Sequence, residues 1–222
     1  MSHNYQRLAT LRPNNTSENT LYTASAGSQI IGALNVCNQQ SSEQRFYVGQ
    51  KASSGVLNGD DYLFYYKSIP ANDVITIPGI TLNQNEPLIV ALNSANNINF
   101  VFSGLEITNY VGNRTYGRIH SLRPATSSEE LFYTIPINSQ IVSTVMVCNQ
   151  DSSSQSFSFA HSLASSPSAE IHDWLFLDHP LPAYESIQIT GLTAKVGEQF
   201  RIRASIADKI SFVLSGLKIV TT

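Results

Sequence analysis

The chain repeats itself, and a repeat restricts the possible folds more than any single motif does. Leu11-Arg12-Pro13 returns as Leu122-Arg123-Pro124, and Ser28-Gln29-Ile30 as Ser139-Gln140-Ile141. Val36-Cys37-Asn38-Gln39 returns as Val147-Cys148-Asn149-Gln150, again 111 residues on. After one inserted residue the offset is 112: Pro70-Ala71 matches Pro182-Ala183, and Ser103-Gly104-Leu105 matches Ser215-Gly216-Leu217. Identities number 20 in the 42 positions from Tyr5 to Phe46 and 18 in the 47 from Asp61 to Ile107. Chance gives about 1 in 17 for ordinary residue usage, so one unit has been duplicated. Each copy has about 105 residues, an ordinary size for one domain. The expected division is 1–109 and 114–222, joined by a linker at 110–113 beside the breaker residues Asn109, Gly112 and Asn113.

Within a copy, short apolar runs alternate with clusters of Gly, Pro, Asn and Asp. Eight strands are predicted in the first copy, at 5–12, 20–24, 29–37, 45–48, 62–66, 74–77, 88–92 and 98–107. Phe46 and Val48 alternate with Arg45 and Tyr47, the period of a strand with one buried face. Asn58-Gly59-Asp60, Pro70-Ala71-Asn72-Asp73, Pro78-Gly79 and Asn96-Asn97 supply predicted turns. No long window carries a helical apolar stripe. The predicted fold class is all-β: two tandem β-sandwich domains, jelly-roll-like, from an internal duplication.

Charge narrows the function classes. Only 13% of the 222 residues are charged and the net charge is −3, which argues against a binder that neutralises nucleic-acid phosphates. The surface is instead filled by uncharged polar residues, with 29 Ser and 18 Asn. No apolar run is long enough for a membrane helix, and the first residues lack a basic region followed by an apolar stretch, so no signal peptide is expected. The two cysteines, Cys37 and Cys148, stand at the same place in each copy, which excludes a disulfide within one copy. Buried free thiols in a chain made in a reducing cytoplasm are expected.

The copies differ where Leu88-Ile89-Val90-Ala91-Leu92 aligns with Phe200-Arg201-Ile202-Arg203-Ala204. The inward positions stay apolar, while the outward pair is Ile89 and Ala91 in one copy and Arg201 and Arg203 in the other. Ile89 and Ala91 are therefore candidate assembly contacts, with Arg201 and Arg203 expected on a wet face. Arg12 and Arg123, one per Leu-Arg-Pro element, are further candidate contacts, with a structural bond to a nearby loop as the competing reading. Copy one carries 5 basic and 7 acidic residues before Asn113, against 8 and 9 from there on. The charge-poor first copy is expected to be the one that docks.

Catalysis or metal binding would need polar groups that converge. The densest cluster is Glu170, His172, Asp173, Asp178 and His179, but seven residues along a strand hold His172 and His179 about 23 Å apart, against a shared metal. Gly59-Asp60-Asp61 lacks the spaced oxygens of a calcium loop. The chain has no phosphate loop, GxSxG elbow or HExxH pair. No catalytic, cofactor-binding or metal residues are assigned, and no cofactor is expected. Tyr65, Tyr66, Trp174 and Tyr184 are candidate ligand-stacking aromatics, against a competing place in the core.

Each copy runs through Leu21-Tyr22-Thr23 or Phe132-Tyr133-Thr134, a Ser-Gln-Ile to Val-Cys-Asn strand and a Phe strand at Phe46 or Phe157. It then passes an Ile69-Pro70-Ala71-Asn72-Asp73 turn, which is Leu181 to Glu185 in copy two, and closes on Phe-x-x-Ser-Gly-Leu-x-Ile. This unit resembles the small β-sandwich module of tailed-bacteriophage virion proteins, particularly those of cyanophages and their relatives. Family members commonly have one copy, and here Tyr184-Glu185 replaces Asn72-Asp73 in the second. The resemblance implies a non-enzymatic structural component of a tail, baseplate, neck or capsid decoration, located in the virion after synthesis in the host cytoplasm. Implied partners are other virion proteins and copies of itself, with no nucleic acid and no membrane. The alternative is a carbohydrate- or host-receptor-binding module, an adhesin whose partner is a host surface glycan.

Overall fold

The structure is a computed structural model that describes residues 2–52, 55–108, 113–163 and 167–220. The chain is all-β, with sixteen strands and no helix among the described residues. The first half contributes β1 (Ser2–Leu11), β2 (Asn19–Thr23), β3 (Ser28–Asn38), β4 (Gln44–Gln50), β5 (Tyr62–Ile69), β6 (Val74–Leu82), β7 (Pro87–Leu92) and β8 (Ile98–Thr108). The second contributes β9 (Arg114–Leu122), β10 (Glu130–Thr134), β11 (Ser139–Asn149), β12 (Gln155–Ser162), β13 (Trp174–Leu181), β14 (Ser186–Lys195), β15 (Gln199–Ala204) and β16 (Ile210–Val220). Each strand expected from the pattern of the first copy has its counterpart. Of the expected linker only Asn113 lies among the described residues.

The strands form four antiparallel sheets of four, ordered β1-β8-β3-β6, β2-β7-β4-β5, β9-β16-β11-β14 and β10-β15-β12-β13. Within each half, consecutive strands cross between the two sheets, except β4–β5 and β12–β13, which pair as neighbours in one sheet. The first two sheets turn Leu34, Phe46, Val90, Phe100 and Phe102 into one core, and the last two turn Val147, Phe157, Phe159, Ile202 and Phe212 into another. Each of these side chains contributes about 1.5–3 kcal/mol by leaving water.

Turn chemistry is duplicated along with the strands. Left-handed backbone occurs at Tyr66 and Asp178, Asn72 and Tyr184, Asn85 and Gly197, Asn96 and Asp208, Gly27 and Asn138, and Gly79 and Gly191. Every pair is aligned by the repeat. Asn38 and Asn149 do the same work in each half. Asn38 donates its side-chain amide to Ser42, Ile69 and Pro70 carbonyls, and Asn149 to those of Ser153, Leu181 and Pro182.

One turn expectation is corrected. Pro78-Gly79 does not end a strand but forms a bulge inside β6, where the register shifts opposite Gly32 and Leu34. Gly79 takes φ 73°, which lets the extra residue be absorbed without breaking the ladder.

Candidate functional site: the joint between the halves

Among the described residues, an extended polar network lies between the two halves. The outer face of β9, β16 and β11 packs against the side of the first half where β5 and β6 run. A bulge between Leu214 and Ser215 sets Arg118 of β9 opposite Ser215. From there its guanidinium donates to the Gln50 carbonyl at 2.8 Å and to Asp61 Oδ1. Asp61 is only 2% exposed, and its other oxygen accepts from Asn58 N at 2.7 Å and lies 3.2 Å from Lys51 Nζ.

Glu86 is buried beside this pair. Its carboxylate accepts from the backbone N–H of Asn83 at 2.8 Å and of Arg118 at 3.2 Å, and from Gln50 Nε2 at 3.3 Å. Burial raises the Glu86 pKa, and the hydrogen bonds only partly oppose it. Thr81 Oγ1 donates to the Gly117 carbonyl at 3.2 Å, and Tyr116 N donates to Gln29 Oε1 at 3.2 Å. A Cβ on Gly117 would meet Asn83 and the Glu86 carboxylate, so only glycine lets β9 come this close. Around the rim, Ser121 donates to Asp60 at 2.7 Å, Ser211 to the Tyr62 carbonyl at 3.1 Å, and Lys67 pairs with Glu185 at 2.6 Å.

The joint also has an apolar centre. Met146 and Val213 of the second half are buried in the first half's core cluster. A void of about 20 Å³ lies between them and Leu63, Ile77 and Ile80, room for about one water.

At the edge of the joint, Tyr65 and Tyr66 together oppose Tyr47, because Tyr66 is left-handed (φ 51°) and makes a bulge in β5. The rings of Tyr65 and Tyr66 lie 6.3 and 5.1 Å from Tyr184 across the joint, and Arg45 stands 4.7 Å over Tyr66. Burial, then neighbouring phenols, pushes Tyr47 up to about 12, so it stays neutral. Three of the four candidate aromatics are thus brought together, half-buried. Trp174 is elsewhere, 5.8 Å from the Arg203 guanidinium.

The candidate assembly residues have partners within the chain. Ile89 and Ala91 are 3% and 6% exposed. Ile89 pairs with Gly49, over which Leu57 lies so closely that a Cβ would be 2.4 Å from it; Ala91 pairs with Tyr47. Their cover is the chain's own 55–61 loop and tyrosine cluster. In the second half that loop carries Ala169 in place of Leu57, and Arg201 is buried against Glu129 at 2.9 Å rather than wet. Arg203 meets Asp178 at 2.6 Å.

Arg12 donates to the carbonyl of Asn96, and Arg123 to that of Asp208, the matching left-handed turn residue. Arg123 also packs over Gly59 at the joint. His172 is exposed, 3.7 Å from Glu170 and Asp173, while His179 meets Phe157 and Phe176 edge to face. Cys148 is buried in the joint, and burial pushes its thiol up to about 11; Cys37 is half-buried.

The joint residues Arg118, Asp61, Glu86 and Gln50 carry no motif or spacing that singles them out in the sequence. The available signal was the aspartate of Gly59-Asp60-Asp61, an acidic pair with no metal spacing to explain it.

No family profile and no curated protein matches the chain. Among solved structures, the major capsid protein P2 of bacteriophage PM2 is similar over 100% of this chain and 98% of its own, at 9% identity and a TM-score of 0.41. A fucolectin from striped bass (Morone saxatilis) serum is similar over 96% and 99%, at 10% identity and 0.26. The Gx strain of infectious bursal disease virus is similar over 99% and 72%, at 10% identity and 0.30. Likenesses of this degree carry no functional argument.

Proposed function

We propose that the chain is a non-enzymatic structural component of a tailed-phage virion, packing in multiple copies on neighbouring tail, baseplate, neck or capsid proteins. In this reading residues 1–109 and 114–222 are two tandem jelly-roll-like sandwiches joined at 110–113. The strand orders β1-β8-β3-β6 and β2-β7-β4-β5, repeated in the second half around a second core, support that architecture.

The observation that carries the functional reading is the joint itself. Its buried carboxylates, Asp61 and Glu86, are held by Arg118 and by backbone N–H groups and serve to fix one half on the other. Rigid two-part blocks with weakly charged surfaces suit repetitive packing, because like-charge repulsion is small. The phage element of the proposal rests on the resemblance of the repeat unit. Quantitative mass spectrometry of purified particles tests it: the chain is expected at a copy number comparable with other structural proteins, and its absence from particles would sink the reading.

The alternative is a carbohydrate- or host-receptor-binding module. It is favoured by one observation, the half-buried cluster of Tyr65, Tyr66 and Tyr184 beside Arg45. A glycan array decides it: binding that Tyr184→Ala abolishes supports the alternative, and no binding to any glycan removes it.

A further inference from the structure

The joint uses one face of each half, yet both halves carry both faces. The second half inserts with the outer face of β9, β16 and β11, and the matching face of the first half is β1, β8 and β3. The first half receives with its β5–β6 side, and the matching side of the second half is β13 and β14. Inside one chain a single inserting face and a single receiving side are used. The other two are left over.

The leftover faces keep the chemistry of the used ones. On the inserting face Arg118 is matched by Arg7, Ser215 by Ser103 and Val213 by Val101. The bulge is matched too, since the register shifts between Arg7 and Ala9 and Arg7 stands opposite Ser103. Arg7 has no ion-pair partner among the described residues, and Tyr5, the counterpart of Tyr116, is 80% exposed. On the receiving side Asp61 is matched by Asp173, Glu86 by Glu198, Thr81 by Thr193 and Gln29 by Gln140. Asp173 Oδ2 accepts from Glu170 N at 2.9 Å, as Asp61 Oδ2 accepts from Asn58 N. Its Oδ1, the atom that Arg118 takes in Asp61, lies 3.7 Å from the exposed His172 and has no Arg or Lys partner among the described residues, and the side chain is 11% exposed.

Two further observations mark the receiving side as unfilled. Leu63 is 5% exposed within the joint, while its counterpart Leu175 is 53% exposed on β13. Where β9 lies against Gln29, Thr81 and Glu86, the second half has a hollow of about 380 Å³ lined by Gln140, Thr193, Lys195 and Glu198.

We infer that the chain self-associates head to tail: the Arg7 face of one molecule docks on the Asp173–Glu198 side of a second copy and repeats the internal joint. This rests on the structural reading above and names the partner and the surface. Because the two faces differ, the contact is heterologous, and it builds a ring if its rotation closes or a filament if it does not. The match is incomplete. On the inserting face Gly117 is replaced by Gln6 and Met146 by Asn35; on the receiving side Gln50 is replaced by His161, Lys51 by Ser162 and Asn83 by Lys195. His161 Nε2 lies 3.1 Å from Glu198 within the chain. The joint between chains is therefore looser and more polar than the internal one.

Sedimentation velocity of the full chain, over concentrations up to about 1 mM, tests the inference. The wild type is expected to form oligomers. Arg7→Glu and Asp173→Arg are each expected to weaken association by about 30-fold or more, the loss from breaking a desolvated charge pair. Circular dichroism checks that each variant is folded. The two substitutions together are expected to restore association, since the reversed charges meet again. Alkylation of Cys37, the counterpart of the buried Cys148, is expected to slow as the wild type associates. A wild type that stays monomeric, single variants that associate normally, or a double variant no better than the singles would overturn the inference. A monomer that is abundant in particles overturns this contact and leaves the virion reading standing. An oligomer absent from particles does the reverse.

Discussion

Arg118 and Arg7 occupy the same position in the two copies, yet the structure assigns them opposite energetic weights. Replacing Arg118 by Ala takes the guanidinium from Asp61, a carboxylate 2% exposed, and a donor from the Gln50 carbonyl. Orphaning a buried ion costs about 3–5 kcal/mol. Asp61 retains Lys51 at 3.2 Å and Asn58 N at 2.7 Å, which places the loss at the lower end. The lost bond to Gln50 adds about 1 kcal/mol. The expected destabilisation is therefore about 3–4 kcal/mol, a fall in Tm of roughly 10 °C for a chain of this length. Arg7→Ala removes no ion pair among the described residues and is expected to stay within about 0.5 kcal/mol. Urea unfolding followed by circular dichroism, at protein concentrations low enough to keep the chain monomeric, measures both. Equal effects of the two substitutions would refute the reasoning, because position in the repeat would then outweigh the joint.

Gly49→Ala places a Cβ 2.4 Å from Leu57 and is expected to cost about 1–3 kcal/mol as overpacking. Combined with Leu57→Ala it should cost no more than Leu57→Ala alone, since the second copy has Ala160 and Ala169 at these places; a double-mutant cycle in urea reads the coupling. Asn149→Ala strips donors from three carbonyls and should cost about 2–3 kcal/mol, with Asn38→Ala within about 1 kcal/mol of it by thermal denaturation. Burial first, and Arg118 second, lower the pKa of His120. Its unfolded form therefore binds the proton first as pH falls below 6.5, and stability is lost from there down through the folded pKa. His120→Gln should flatten that fall relative to wild type in urea titrations at pH 7.5 and below; parallel curves would contradict it.

The strands were legible because their signals are local. Alternation at Phe46 and Val48, and Asn or Gly at the turns, act within a few residues, and the repeat allowed each element to be read twice. Pro78-Gly79 misled because the same pair serves a turn or a bulge, and only pairing across to β3 decides. The joint was hidden for a different reason. Arg7 and Arg118, Asp61 and Asp173, and Glu86 and Glu198 are identical in type, so composition and spacing weigh them alike. Which member is buried depends on which half lies beside it, and that is a property of the assembled molecule. Ile89 and Ala91 show the same limit: alternation put them on the outer face correctly, but their cover is Leu57 and the tyrosines, contributed by a loop and by the neighbouring strands.

The central claim is that this chain is a building block whose contacts with its neighbours are structural. A reconstruction of the purified particle by electron cryomicroscopy tests it most directly. Many ordered copies are expected, each with both halves locked through Arg118 and Asp61, and with the β13 side covered by a neighbouring protein. A particle without the chain, or one that holds it with the two halves apart and β13 bare, would contradict the account.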